Sequence, residues 1–84
     1  MQAEKLLKAL ANQRRLIILE MLCKSSMTVT AVSDSIHLSM RSTSKHLQVL
    51  LKAEVVGHKQ IGLNVFYYLI EPRHSVITSI LTLV

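Results

Sequence analysis

The 84-residue sequence holds a single cysteine, Cys23, two glycines, one proline and no tryptophan. One cysteine excludes an intramolecular disulfide and a thiolate metal cluster within one chain, and it suits a reducing compartment. Two glycines leave no Gly-rich loop to cradle a phosphate, and no pair of histidines has metal-binding spacing. The Ser, His and Asp residues form no nucleophile motif. No catalytic residue, metal site or cofactor is therefore expected, and the chain does not read as an enzyme. Long apolar runs are missing too. The segment "MQAEKLLKAL" mixes charge with Leu and lacks both the apolar core and the small-residue cleavage site of a signal peptide. The tail from Ser75 to Val84 is too short to span a bilayer. These absences predict a cytoplasmic protein without membrane association.

Acidic residues are also scarce, five against ten Lys and Arg, which gives a net charge of +5. The excess favours a polyanionic partner. Half of the residues are hydrophobic, which excludes a disordered tail and predicts one globular domain over residues 1–84, with no repeat, linker or low-complexity segment. A domain this short buries a modest fraction of its surface, and two Tyr and one Phe supply little bulk. Oligomerisation is the expected way to complete such a core.

Hydrophobic spacing predicts a chain that is helical first and β late. Leu6, Leu7 and Leu10 share a helical face, and "ANQRRLIILEMLCK" continues with Asn12 as N-cap and Leu16, Leu19 and Met21 to Cys23 as apolar surface. "SSMTVT" suits a brief strand or extended link, after which Thr30 can cap a short helix from Ala31 to Ile36. Ser39 is placed to cap a longer helix from Met40 to about Ala53. Two helices around a turn of a few residues make a helix-turn-helix. "VVGHKQIGLNVFYYLI" has two β-rich arms around Gly62 and Asn64, the pattern of a hairpin. Pro72 then opens a last helix, Arg73 to Val84, because Val76, Ile77, Ile80, Leu81 and Val84 have helical spacing. The predicted class is mostly α with a small β-hairpin (α+β).

At about 100° per residue, Thr43, Leu47, Leu50 and Leu51 fall on one side of the Met40–Ala53 helix and Arg41, Lys45, Gln48 and Lys52 on the other. Ser42 and Ser44 flank the polar side near the helix N-terminus, where hydroxyls and free N–H groups suit phosphate. In a helix-turn-helix these N-terminal residues of the second helix enter the major groove of double-stranded DNA. Arg41 can bind a guanine edge, Gln48 an adenine edge, Lys45 a guanine or a phosphate, and Lys52 a phosphate. A stripe of charges on a helix is more often only a solvated face. The alternative reading is a protein–protein interaction module that uses its apolar helices.

The sequence resembles the winged helix-turn-helix repressors of the ArsR/SmtB family over nearly its whole length. "LKALANQRRLIILEML" is similar to that family's opening helices, "LSMRSTSKHLQVLLKAEVV" to its recognition helix and "GHKQIGLNVFYYL" to its wing. The resemblance implies a homodimer built from the first and last helices, which carry Leu6, Leu7, Leu10, Val76, Ile77, Ile80 and Leu81, bound to a pseudo-palindromic operator. It implies DNA-facing positions at Met40, Arg41, Ser44, Lys45 and His46, a backbone contact from Arg15, and wing contacts from His58 and Lys59. Departures are specific. Metal-sensing relatives carry cysteines near Thr28 and Thr30, and Glu71 and His74 match a second metal site only in part, so metal sensing is not expected. Relatives have glycine at His37 and Glu54. Thr43 occupies a usually aliphatic inward position, where its hydroxyl can bond back to a helical carbonyl. Tyr67 and Tyr68 read as packing residues and Cys23 as a core filler.

Overall fold

The computed structural model describes residues 3–83 and builds five helices and a small antiparallel sheet from them. Helix α1 (Ala3–Leu10) and α2 (Gln13–Lys24) are followed by the two-residue strand β1 (Met27–Thr28), α3 (Val29–Ile36) and α4 (Met40–Lys52). A hairpin of β2 (Val56–Ile61) and β3 (Asn64–Leu69) precedes α5 (Ser75–Leu83). The predicted α+β class holds. The sheet has a third member, since β1 pairs with β3 through Met27↔Tyr67 and Thr28↔Phe66, giving the order β1-β3-β2.

Local chemistry accounts for the element boundaries. Asn12 caps α2, its Oδ1 accepting from Arg15 N at 3.1 Å, as the sequence predicts. The cap of α3 is Thr28 rather than Thr30: its Oγ1 accepts from Ala31 N at 3.2 Å, so the helix starts two residues early. Both threonines can cap, and pairing of β1 with β3 holds Thr28 in the extended backbone that a cap needs. Ser39 caps α4 as expected, accepting from Ser42 N at 3.1 Å. The hairpin closes through a two-residue loop, Gly62 and Leu63, with Ile61 opposite Asn64. Gly62 takes φ 63° at the first loop position, a conformation open to glycine at no steric cost. The last helix begins at Ser75 and not at Arg73, so Pro72 is not its first residue. His74 serves as its cap, with Nδ1 accepting from Val76 N at 3.1 Å and its carbonyl from Ile77 N at 2.9 Å. Val84, also assigned to this helix from spacing, lies outside the described residues.

Two turns carry backbone strain. His37 and Glu54, where the resembled family has glycine, take φ 55° and 60°. In the left-handed region a side chain costs on the order of 1 kcal/mol relative to glycine. Each position ends a helix in a Schellman arrangement: Leu38 N donates to Ser33 O, and Val55 N to Leu50 O, both at 3.1 Å. At the end of α4 the second bond is also present, from Glu54 N to Leu51 O at 3.0 Å. These bonds hold the strained residues in place.

The core gathers around α2, which packs against α1, α3, α4, α5 and β3. Ile18 and Leu19 are fully buried there, and Leu47 and Leu50 of α4, Val32 of α3 and Val55 beyond the α4 turn are buried with them. Each such side chain contributes about 1.5–3 kcal/mol on leaving water. Cys23 does not fill the core. It is exposed at the end of α2, where its Sγ accepts from Arg73 Nη1 at 3.3 Å. Of the two tyrosines, Tyr67 is buried and stacks on His58 with ring centroids 5.6 Å apart, whereas Tyr68 is half-exposed across the hairpin from Gly57. A Cβ at Gly57 would stand 2.6 Å from the Tyr68 ring, so glycine there makes room for the tyrosine.

Thr43 is inward and fully buried, as its place on the helix wheel requires, but its Oγ1 has no hydrogen-bond partner. The expected bond back to a carbonyl of α4 is absent. A buried hydroxyl without a partner is destabilising by about 1–3 kcal/mol. Thr43→Val keeps the shape and removes the polar atom, so it should raise stability by roughly 1 kcal/mol. Urea denaturation of the two proteins checks this, and a variant less stable than the wild type would mean that the hydroxyl is satisfied.

Candidate nucleic-acid interface

Most of the residues assigned to DNA from sequence lie on α4. Arg41, Lys45, Gln48 and Lys52 are exposed, while Thr43, Leu47 and Leu50 are buried and Leu51 is partly so. Met40 opens the helix and is 48% exposed, and Ser42, Ser44 and His46 are half-buried along the flanks. Met40 also touches α3: Ser33 Oγ lies 3.2 Å from its Sδ and 3.0 Å from Thr30 O, so the one hydroxyl proton is shared between these acceptors. This contact joins the two helices across the turn.

The electrostatics of the surface follow from what α4 lacks. Its sequence "MRSTSKHLQVLLK" holds no acid. Among the described residues the ion pairs are Glu4–Lys8 and Glu71–Arg73, so the cations of α4 are left without an acidic partner. The positive end of the helix dipole and the N–H groups of its first turn lie at Met40 and Arg41, where an anion is stabilised.

The other assigned residues stand elsewhere. His58 and Lys59 are exposed on β2, opposite Tyr67 and Phe66. The hairpin tip beyond them is apolar, with Ile61 55%, Leu63 99% and Val65 37% exposed. Arg15 is engaged within the protein. Its Nε donates to Ala9 O at 2.6 Å, Nη2 to Lys8 O at 3.0 Å and Nη1 to His46 Nδ1 at 3.3 Å. Arg14, not singled out from the sequence, is exposed beside Arg15 and close enough to act on His46. The doubled arginine in "ANQRRL" was its only signal.

The residues named for dimerisation also divide. Leu6, Leu10 and Ile77 are buried in the protomer's own core, whereas Leu7 is 55% exposed. Val76, Ile80 and Leu81 pack partly against the core and keep the rest of their surface open. The two residues of the partial metal match make structural bonds, His74 capping α5 and Glu71 Oε1 accepting from Arg73 Nη2 at 2.8 Å, while Thr28, where metal-sensing relatives carry a cysteine, caps α3. Among the described residues no three His, Cys, Asp or Glu side chains are grouped to hold a metal. None of their helices is long and apolar enough to cross a membrane.

A capped helix that turns a basic face outward, set after a shorter helix and followed by a two-strand wing, defines a winged helix-turn-helix. The chain belongs to the arsR family of bacterial regulatory proteins, whose model matches residues 12–57. It is 40% identical over 68 residues to the transcriptional activator HlyU of Vibrio cholerae, covering 81% of this chain and 63% of that protein. The chain thus spans less than two thirds of that relative. The structure of reduced HlyU superimposes with a TM-score of 0.81 at 34% identity, covering 96% of this chain and 82% of that one. NolR of Sinorhizobium fredii gives 0.84 at 30% identity over 96% and 78% of the two chains. A homodimeric winged helix-turn-helix DNA-binding domain of Mycobacterium bovis gives 0.79 at 26% over 95% and 71%.

The pKa of His46 is lowered from the ordinary value of 6.5, first by partial burial and then by the positive charges of Arg15 and Arg14. Its neutral form is therefore favoured in the folded protein. The unfolded chain binds a proton more readily, so this contribution to stability is complete above pH 6.5 and declines as the pH falls below it. Urea midpoints of the wild type and of His46→Gln, measured across this range, should show the wild type losing more stability on acidification. Parallel curves would exclude the effect.

Proposed function

We propose that the chain is a sequence-specific DNA-binding transcriptional regulator, a homodimeric repressor that reads the major groove with α4 and performs no catalysis. The observation that carries this reading is the unpaired polar face of α4 at the second position of a helix pair. Arg41 donates in a fork to a guanine edge, Gln48 reads adenine, and Lys45 takes a guanine or a phosphate. Ser42, Ser44 and Lys52 bind phosphate, and His58 and Lys59 add modest contacts from the wing. The double-stranded operator is met in the cytoplasm. Membership of a family of regulatory proteins supports the reading.

A titration against the DNA upstream of the protein's own transcription unit, at several salt concentrations, tests it. Affinity should fall on the order of a thousandfold between ~50 and ~200 mM salt if several phosphates are neutralised. Arg41→Ala should cost roughly 1–3 kcal/mol and relax preference at one base pair, whereas Lys52→Ala should cost less and weaken all sequences alike. Binding that is indifferent to salt would favour a protein–protein module and reject the groove assignment.

The dimer is proposed to close over the open apolar surface of Leu7, Val76, Ile80 and Leu81. The M. bovis domain, described as homodimeric, supports this. Because Leu7 is exposed, Leu7→Glu should leave the protomer folded while placing an unpaired charge in the interface. Sedimentation velocity should show a dimer for the wild type and a monomer for the variant. The variant's operator affinity should fall as well, since one protomer grips one of two half-sites about 10 base pairs apart. A wild type that sediments as a monomer would remove the dimer.

A further inference from the structure

Three helices meet at the Arg15 guanidinium: it lies on α2, donates to the last carbonyls of α1 at Lys8 and Ala9, and donates from Nη1 to His46 of α4. A guanidinium has no acceptor, so His46 Nδ1 must be the acceptor, and the single proton of the neutral ring sits on Nε2. The charges acting on the ring from α2 are Arg15 and Arg14, both opposed to its protonation. Lys8 of α1 faces Glu4 at 3.8 Å, and neither Asp34 of α3 nor His58 and Lys59 of β2 shifts the ring. His46 follows Ser42 by four residues, so the two share a flank of α4, about 100° and 140° from Arg41. A flank position meets the sugar–phosphate backbone at the groove wall, where a neutral N–H can donate to a phosphate oxygen.

We propose that Arg15 is a positioning residue for DNA binding: it holds His46 as a neutral Nε2–H donor to a backbone phosphate and ties that donor to the end of α1. Arg15 itself does not touch DNA. This rests on the DNA-binding reading above and reassigns the backbone contact that family resemblance places on Arg15. A neutral donor neutralises no phosphate, so its loss lowers affinity without changing how affinity depends on salt.

The test begins without DNA. Long-range proton–nitrogen NMR of the wild type should show His46 Nε2 protonated and Nδ1 bare, and Arg15→Ala should abolish that preference. Operator binding is then measured for Arg15→Ala, His46→Ala and the double variant on a duplex selected from a random pool by the wild type, with thermal melts confirming folding. Each single change should weaken binding about tenfold and the double change also about tenfold, not the roughly hundredfold of independent sites. The slope of log affinity against log salt should match the wild type throughout. A slope shallower by about 0.9 for Arg15→Ala would place Arg15 on a phosphate and overturn the proposal. Additive losses, or a wild-type ring protonated on Nδ1, would overturn it as well. Failure of the wild type to select any duplex, with the Nε2–H tautomer intact, would instead reject the DNA-binding reading and with it the donor role of His46.

Discussion

Ile18 and Leu19 of α2 sit side by side with no exposed surface, an arrangement that a helix can reach only if other elements cover it on more than one side. Leu6, Ala9 and Leu10 of α1, Leu47 and Leu50 of α4 and Tyr67 of β3 join the same buried cluster. Removing either residue to alanine would open a cavity worth about 2–5 kcal/mol, a large share of the stability of so small a domain. The functional consequence is directional. Once Leu47 and Leu50 are committed to this core, helix geometry leaves Arg41, Lys45, Gln48 and Lys52 no place but solvent.

The ends of α4 make that orientation rigid. Ser39 satisfies the first turn, and the two Schellman bonds around Glu54 fix where the chain leaves the helix for β2. With glycine the turn at Glu54 would be unstrained; with glutamate it is held by its bonds and by burial of Val55 and Val56 just beyond it. The hairpin is thereby set at a defined angle to the face of α4. Strain is tolerated at these joints because the packing on either side over-determines them.

How much of this could be read in the sequence depended on the range of the interaction. The buried and exposed sides of α4, the caps Asn12 and Ser39 and the hairpin around Gly62 are set by residues within a few positions of one another, and spacing revealed them. Thr28 displaced Thr30 as a cap because the deciding event is pairing with Phe66, far along the chain. Cys23 was misplaced for a similar reason: its partner Arg73 is 50 residues away, and an apolar neighbourhood in sequence says nothing of which side of α2 it occupies. Pro72 looked like a helix start, but the Glu71 carboxylate binds the backbone and side chain of Arg73, and the helix waits for the His74 cap. Arg15 and His46, 31 positions apart, carry no sequence pattern that joins them. The family resemblance assigns both to DNA, and only the three-dimensional contacts reveal that the Arg15 guanidinium is spent on acceptors of the protein itself.

If the chain binds an operator as proposed, the distribution of charge constrains how it can do so. The wing ends in Ile61, Leu63 and Val65 and keeps Lys59 as its nearest full cation, while the ring of His58 is stacked on Tyr67. On the proposed reading, with Arg41 committed to a base edge, the ionic phosphate contacts of one protomer would come from Lys45 and Lys52, with Lys59 added from β2. That set is short of the 6–10 or so contacts that give strongly salt-dependent specific binding, and two protomers on one duplex bring it into that range. On that reading the proposed dimer would double the ionic contacts as well as cover Leu7. It also explains why a neutral contact from His46 would matter: where ionic contacts are few, each oriented N–H donor makes up a larger part of the affinity, and one fixed in advance by Arg15 loses little entropy on binding.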